Sequence, residues 1–147
     1  MSQIHATAIS IDGAGVLLRG PSACGKSDLA LRLVDQLDGG AQLIADDRVD
    51  ANTIEGNVQL SAPETLYGMI EVRGLGIVKL ETIAEAPLRL IVDLKPYAEI
   101  DRMPEPQEDE IEGVSVPVIE IDPFETSAIA KIKIALQILD GKASLLE

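Results

Sequence analysis

Gly20-Pro21-Ser22-Ala23-Cys24-Gly25-Lys26-Ser27 spells G-x-x-x-x-G-K-[ST], the pattern of a phosphate-binding loop. In such a loop, backbone N–H groups and a helix N-terminus point at an anion. Lys26 reaches the β- and γ-phosphates of a nucleotide, and the Ser27 hydroxyl ligates Mg²⁺. Cys24 reads as a filler residue of the loop rather than a nucleophile. About twenty residues on stand Asp46 and Asp47. Phosphoryl transfer needs one carboxylate to accept the attacking hydroxyl's proton and others to hold or orient metal. Two adjacent aspartates can divide those roles, because successive strand residues point to opposite sides. Glu71 and Arg73 are two apart, so on extended backbone they face the same way. One of them could touch Mg²⁺ and the other a phosphate. Gly74 and Gly76 follow at once and favour close backbone approach. His5 is the only histidine, and alone it carries no catalytic signature.

The flanking elements must hold these groups in place. Val16 to Arg19 continue Gly15 as a buried strand that feeds the loop, and 28–37 carry apolar residues at helical spacing. The helix stops near Gly39-Gly40. Residues 4–11 read as one strand, with His5, Thr7 and Ile9 on one side, and 12–15 as a hairpin turn. Ala41 to Ala45 form a short buried strand ending at the aspartates, beside the ligand crevice of an open α/β sheet. Segments 48–54 and 57–61 are further strands, and 62–65 open a short helical turn. A strand follows at 88–94. The polar, acidic, proline-bearing stretch 95–113 reads as a surface loop. A last strand covers 114–121, and a helix starts at Pro123. Many strands and few helices make a mixed α/β sheet in a single domain over 1–147.

Composition narrows the function. The 147 residues are 46% hydrophobic but only 2% aromatic, so the core is aliphatic. Twenty-five acidic residues against twelve basic give a net charge of −13. Such a balance argues against nucleic acid or an anionic membrane as main partner. No apolar run approaches the length of a membrane span. The N-terminus lacks signal-peptide blocks. One cysteine fits a reducing cytoplasm. No cysteine/histidine set indicates zinc.

Taken together, His5, the loop Gly20 to Ser27, Ala45-Asp46-Asp47-Arg48-Val49-Asp50 and Ile70-Glu71-Val72-Arg73-Gly74-Leu75-Gly76-Ile77 resemble the catalytic C-terminal domain of HPr kinase/phosphorylase. The match runs from about residue 4 to 140, in a short form without the family's N-terminal domain. The resemblance implies a P-loop sheet akin to phosphoenolpyruvate carboxykinase. It implies ATP- and Mg²⁺-dependent phosphorylation of a serine in HPr, the small carrier of the sugar phosphotransferase system. It also implies removal of that phosphate by inorganic phosphate, yielding pyrophosphate. The loop with Lys26 is then the phosphate cradle, and Ser27 and Glu71 the Mg²⁺ ligands. Asp46 is the catalytic aspartate, with Asp47 as a supporting carboxylate. Arg102, after Asp101, acts at the phosphorylated serine, and His5 lies near the active site. Family members are hexamers, which implies a homo-oligomer here. Two other readings stay open from the residues alone: a small-molecule P-loop kinase, or a non-catalytic nucleotide-binding regulator. A small-molecule kinase would want a lid with several arginines. A pure sensor has no need of a base such as Asp46.

Overall fold

A computed structural model describes residues 1–146. In chain order the elements are β1 (Ser2–His5), β2 (Thr7–Ile11), β3 (Ala14–Arg19), α1 (Lys26–Gln36), β4 (Ala41–Ala45), β5 (Arg48–Ile54) and β6 (Asn57–Ser61). They continue with β7 (Met69–Val72), β8 (Gly76–Lys79), β9 (Glu85–Leu94), β10 (Gln107–Ile111), β11 (Val114–Ile121) and α2 (Ala128–Leu139). Single 3-10 turns cover Glu64–Leu66 and Tyr97–Glu99.

The sheet is organised on β9, the longest strand. It runs parallel to β3 along one edge. Its other edge pairs antiparallel with β6 at Glu85–Pro87 and then parallel with β11 from Ile91 to Leu94. From β3 the sheet continues through β2 to β4, and from β6 through β5 to β1. A register shift against Gly15 and Val16 leaves Arg89 as an extra residue in β9. The shift breaks the two-residue alternation. Leu88 therefore joins one core while Leu90, two residues on, joins the other. On one face Ile9, Val16, Leu18, Leu90 and Val92 pack under the two helices through Leu29, Leu33, Ile132 and Leu136. On the other, Ala8, Leu17, Ile44, Val49, Leu60 and Ile91 fill the curl between the two arms of the sheet. As composition requires, both cores are aliphatic.

Several sequence expectations change. Residues 4–11 are not one strand. A bend at Ala6 sends β1 to pair with β5 while β2 pairs with β3 and β4. His5 is consequently exposed, whereas Thr7 and Ile9 are fully buried. The strand expected at 88–94 begins at Glu85. The segment 95–113 is not all loop. Its acidic end forms β10, which pairs with β11 across the Glu112-Gly113 turn. Arg19 holds this hairpin, donating to Asp93 at 2.8 and 3.0 Å and to Asp109 at 2.7 Å. The C-terminal helix starts at Ala128 rather than at Pro123, and residues 123–127 are turns. Asp12-Gly13 form the tight β2–β3 turn, with φ of 48° and 87°. Positive φ at both central residues matches the strand twist.

Candidate phosphoryl-transfer site

The loop Gly20 to Gly25 joins β3 to α1. Gly25 stands at the helix N-cap with φ 103°, and no side chain caps the helix. The first free N–H groups of α1, from Lys26 onward, are thus open to a ligand. A Cβ at Gly20 would lie 2.6 Å from Cys24 Sγ, so a side chain there would make the thiol shift. Lys26 is only 6% exposed. Its ammonium donates to the carbonyls of Gly20 and Pro21, at 2.7 and 2.9 Å. Among the described residues no carboxylate pairs with it. A buried cation without a counter-charge is costly. The loop is therefore built to receive an anion.

Beside the loop, the Ser27 hydroxyl donates to Asp46 Oδ1 at 2.6 Å, and the Thr7 hydroxyl donates to the same oxygen at 3.1 Å. Asp46 Oδ2 accepts no hydrogen bond among the described residues. Thr7 Oγ1 also lies 3.5 Å from the Asp47 N–H. The Ala6 N–H donates to the Asp47 carbonyl at 3.1 Å. These contacts hold Asp47 with φ 69°, an uncommon conformation for a non-glycine residue. Its exposed carboxylate sits 3.4 Å from His5 Nδ1.

A cleft of about 680 Å³ opens over this array, within the roughly 300–1,000 Å³ of small-molecule and cofactor sites. Its walls bring together Ser22, Ala23, Gly25, Lys26, Ser27, Asp46, Asp47, Glu71 and Arg73. Glu71 is exposed at the end of β7, and Arg73 stands in the β7–β8 turn. Gly74 and Gly76 serve the positive φ values of that turn, 94° and 116°. Among the described residues no protein atom crowds these glycines, since a Cβ at either would meet nothing within 4 Å. Gly20, Pro21 and Cys24 shape the back of the loop through their contacts with Lys26. His5 joins the site through Asp47 alone. Arg102 is exposed in the segment before β10 and is not among the cleft residues.

Sequence reasoning passed over Thr7 and Phe124. Thr7 ties the two aspartates together, and its one signal is a hydroxyl in a largely apolar strand. Phe124 lines the cleft from the turn after β11, and nothing in its local pattern marks it.

Among the described residues no three His, Cys, Asp or Glu side chains gather into a metal cage. Oxygen donors from Ser27, Asp46 and Glu71 nevertheless line the cleft. This donor set fits Mg²⁺, which is commonly held by one or two carboxylates together with substrate phosphates. It fits a polyphosphate at the loop as well.

The fold and site define a P-loop α/β domain with a carboxylate pair at the phosphate loop. The family model for the HPr Serine kinase C-terminal domain matches residues 1–140, and the chain belongs to that family. The HPr kinase/phosphorylase of Clostridium tetani is 38% identical over 94 residues, covering 64% of this chain and 29% of that protein. That of Clostridium beijerinckii is 33% identical over 103 residues, covering 65% and 33%. The chain thus spans about a third of the length of these curated relatives. Among solved structures, the Hpr(Ser) kinase/phosphatase from Coxiella burnetii superposes with a TM-score of 0.83. The match covers 97% of this chain and 100% of that one at 24% identity, a likeness of fold.

Proposed function

We propose that this chain is a single catalytic domain that transfers phosphate from ATP, with Mg²⁺, to a serine of an HPr-like phosphocarrier protein. It would thereby regulate carbohydrate metabolism through the phosphotransferase system. The observation that carries the reading is the Ser27–Asp46 hydrogen bond, which locks the phosphate loop to the carboxylate pair inside one cleft. Family membership supports the choice of reaction and partner. A reducing cytoplasm suits the single Cys24, and among the described residues no helix is long and apolar enough to cross a membrane.

When bound, the nucleotide and its metal supply the transferable group and neutralise charge on it. The chain's own residues do the rest. The buried Lys26 and the open N–H groups of α1 hold the polyphosphate. Ser27 and Glu71 would hold the metal. Ser27 and Thr7 orient Asp46 through Oδ1, which leaves Oδ2 to take the proton of the substrate serine. Asp47, steadied by His5, supports Asp46 at the mouth of the cleft. Arg73 faces phosphate from the hairpin. Arg102, exposed outside the cleft, acts at the serine of the docked partner. In the reverse direction, protonated Asp46 returns its proton to the serine oxygen as inorganic phosphate attacks, and pyrophosphate leaves. We also propose a homo-oligomer, a hexamer by family likeness.

The test is transfer to purified HPr with ATP or pyrophosphate and Mg²⁺. Wild type is expected to phosphorylate HPr on serine. Lys26→Ala is expected to abolish transfer with the fold intact by circular dichroism. Unchanged turnover in that variant would remove the phosphate cradle from the mechanism.

A further inference from the structure

Phe124 is the chain's only phenylalanine, and it is 72% exposed. A single exposed apolar side chain means little by itself; the placement of this one carries the argument. It lines the same cleft as the phosphate loop, with Leu31 of α1 and Val72 of β7 as apolar neighbours. The ring stands against the loop: a Cβ on Gly25 would lie 3.1 Å from Phe124 Cζ. The turn that presents it is held from both sides. Asp122 accepts the Phe124 N–H at 2.9 Å through one oxygen and the Tyr97 N–H at 3.1 Å through the other. Arg32, from α1, donates to the Pro123 carbonyl. The turn is therefore fixed relative to the loop, and the ring it presents stays open to solvent.

We propose that Phe124 is a stacking platform for the base of a nucleoside triphosphate whose phosphates occupy the Gly20–Ser27 loop. This rests on the phosphate-cradle reading and adds a preference for the donor. Ser27 and Glu71 would take the metal, and Lys26 with the open N–H groups of α1 the phosphates. The polar charge of a polyphosphate finds no partner in Leu31, Val72 and Phe124, whereas a planar base does. Aromatic stacking is tolerant of base identity, because every base has a π-face. Phe124 thus favours nucleotides as a class over pyrophosphate and leaves the choice among bases weak.

The experiment is calorimetric titration with ATP, ADP and inorganic tripolyphosphate in Mg²⁺, using wild type, Phe124→Ala and Phe124→Trp. Phe124→Ala is expected to weaken ATP and ADP roughly 5- to 100-fold, the usual span for removing one stacking partner. Tripolyphosphate affinity should change less than about twofold. Phe124→Trp should retain nucleotide affinity. As the chain has no other tryptophan, its fluorescence should be quenched by ATP and not by tripolyphosphate. Undiminished nucleotide affinity in Phe124→Ala overturns the proposal, including the case in which only transfer to the protein substrate suffers. Equal losses for ATP and tripolyphosphate also overturn it, since the ring would then act by bracing Gly25. A wild type that binds none of the three ligands removes the phosphate-cradle reading itself.

Discussion

On the proposed mechanism Asp46 divides one carboxylate between two duties. Oδ1 accepts from the hydroxyls of Ser27 and Thr7, while Oδ2 has no partner among the described residues. In Asp46→Asn the amide oxygen can still accept from Ser27 and Thr7, so the architecture of the loop survives. The base does not survive, because an amide cannot take a proton from a serine. Single-turnover transfer to HPr is expected to fall by roughly two orders of magnitude or more, the span typical of a lost general base. ATP affinity, titrated in parallel, should barely move. Near-normal transfer would shift the base to Asp47, whose carboxylate is exposed and paired only with His5.

At the scale of elements, the β10–β11 hairpin reaches the rest of the sheet through β11, through the Arg19 side chain and through Glu112 in its turn, which pairs with the Met1 amino group and accepts from Thr53. The Arg19 guanidinium, and after it the Glu110 N–H, hold the Asp109 carboxyl below its ordinary value. A carboxyl depressed in the folded state stabilises above its unfolded pKa and loses that contribution as pH falls through the folded one. Hydrogen-exchange protection of the β10 amides, relative to those of β9, should therefore decline below about pH 4. Asp109→Asn should lower it by about two- to fivefold already at neutral pH, as befits an exposed ion pair, and shrink the acid-dependent step to the part carried by Glu112, whose carboxyl the Met1 amino group also holds below its ordinary value. Protection in β10 equal to wild type at neutral pH would show that the Arg19–Asp109 pair does not hold the hairpin. The segment was read as loop because Glu108, Asp109 and Glu110 are poor strand formers. An edge strand, however, can be built of charges, and charges discourage pairing with another chain.

For the molecule as a whole, a net charge of −13 opposes self-association by repulsion. Leu75 and Ile77 at the β7–β8 hairpin, Tyr97 and Met103 are nevertheless exposed and offer apolar surface to another copy. A homo-oligomer is expected, with a mass by light scattering near six times the 15.6 kDa chain. Because salt screens the repulsion, assembly should strengthen as ionic strength rises. A strictly monomeric mass at working concentration, in low and high salt alike, would contradict it.

What the sequence determined by itself was everything written at short spacing. The strand, glycine loop and helix from Gly15 to Leu37, the two aspartates after Ala45 and the Glu71/Arg73 pair are each written in one short continuous stretch. Local periodicity and turn chemistry are enough to read them. The tertiary structure alone decided the contacts that cross the sheet. Thr7 meets Asp46 across 39 residues, Arg19 meets Asp109 across 90, and Arg32 meets the Pro123 carbonyl across 91. Those meetings depend on strand order, on the bend at Ala6 and on the extra residue in β9. None of these has a local period, because each is set by which strands share β9 and how the sheet curls to cover two cores.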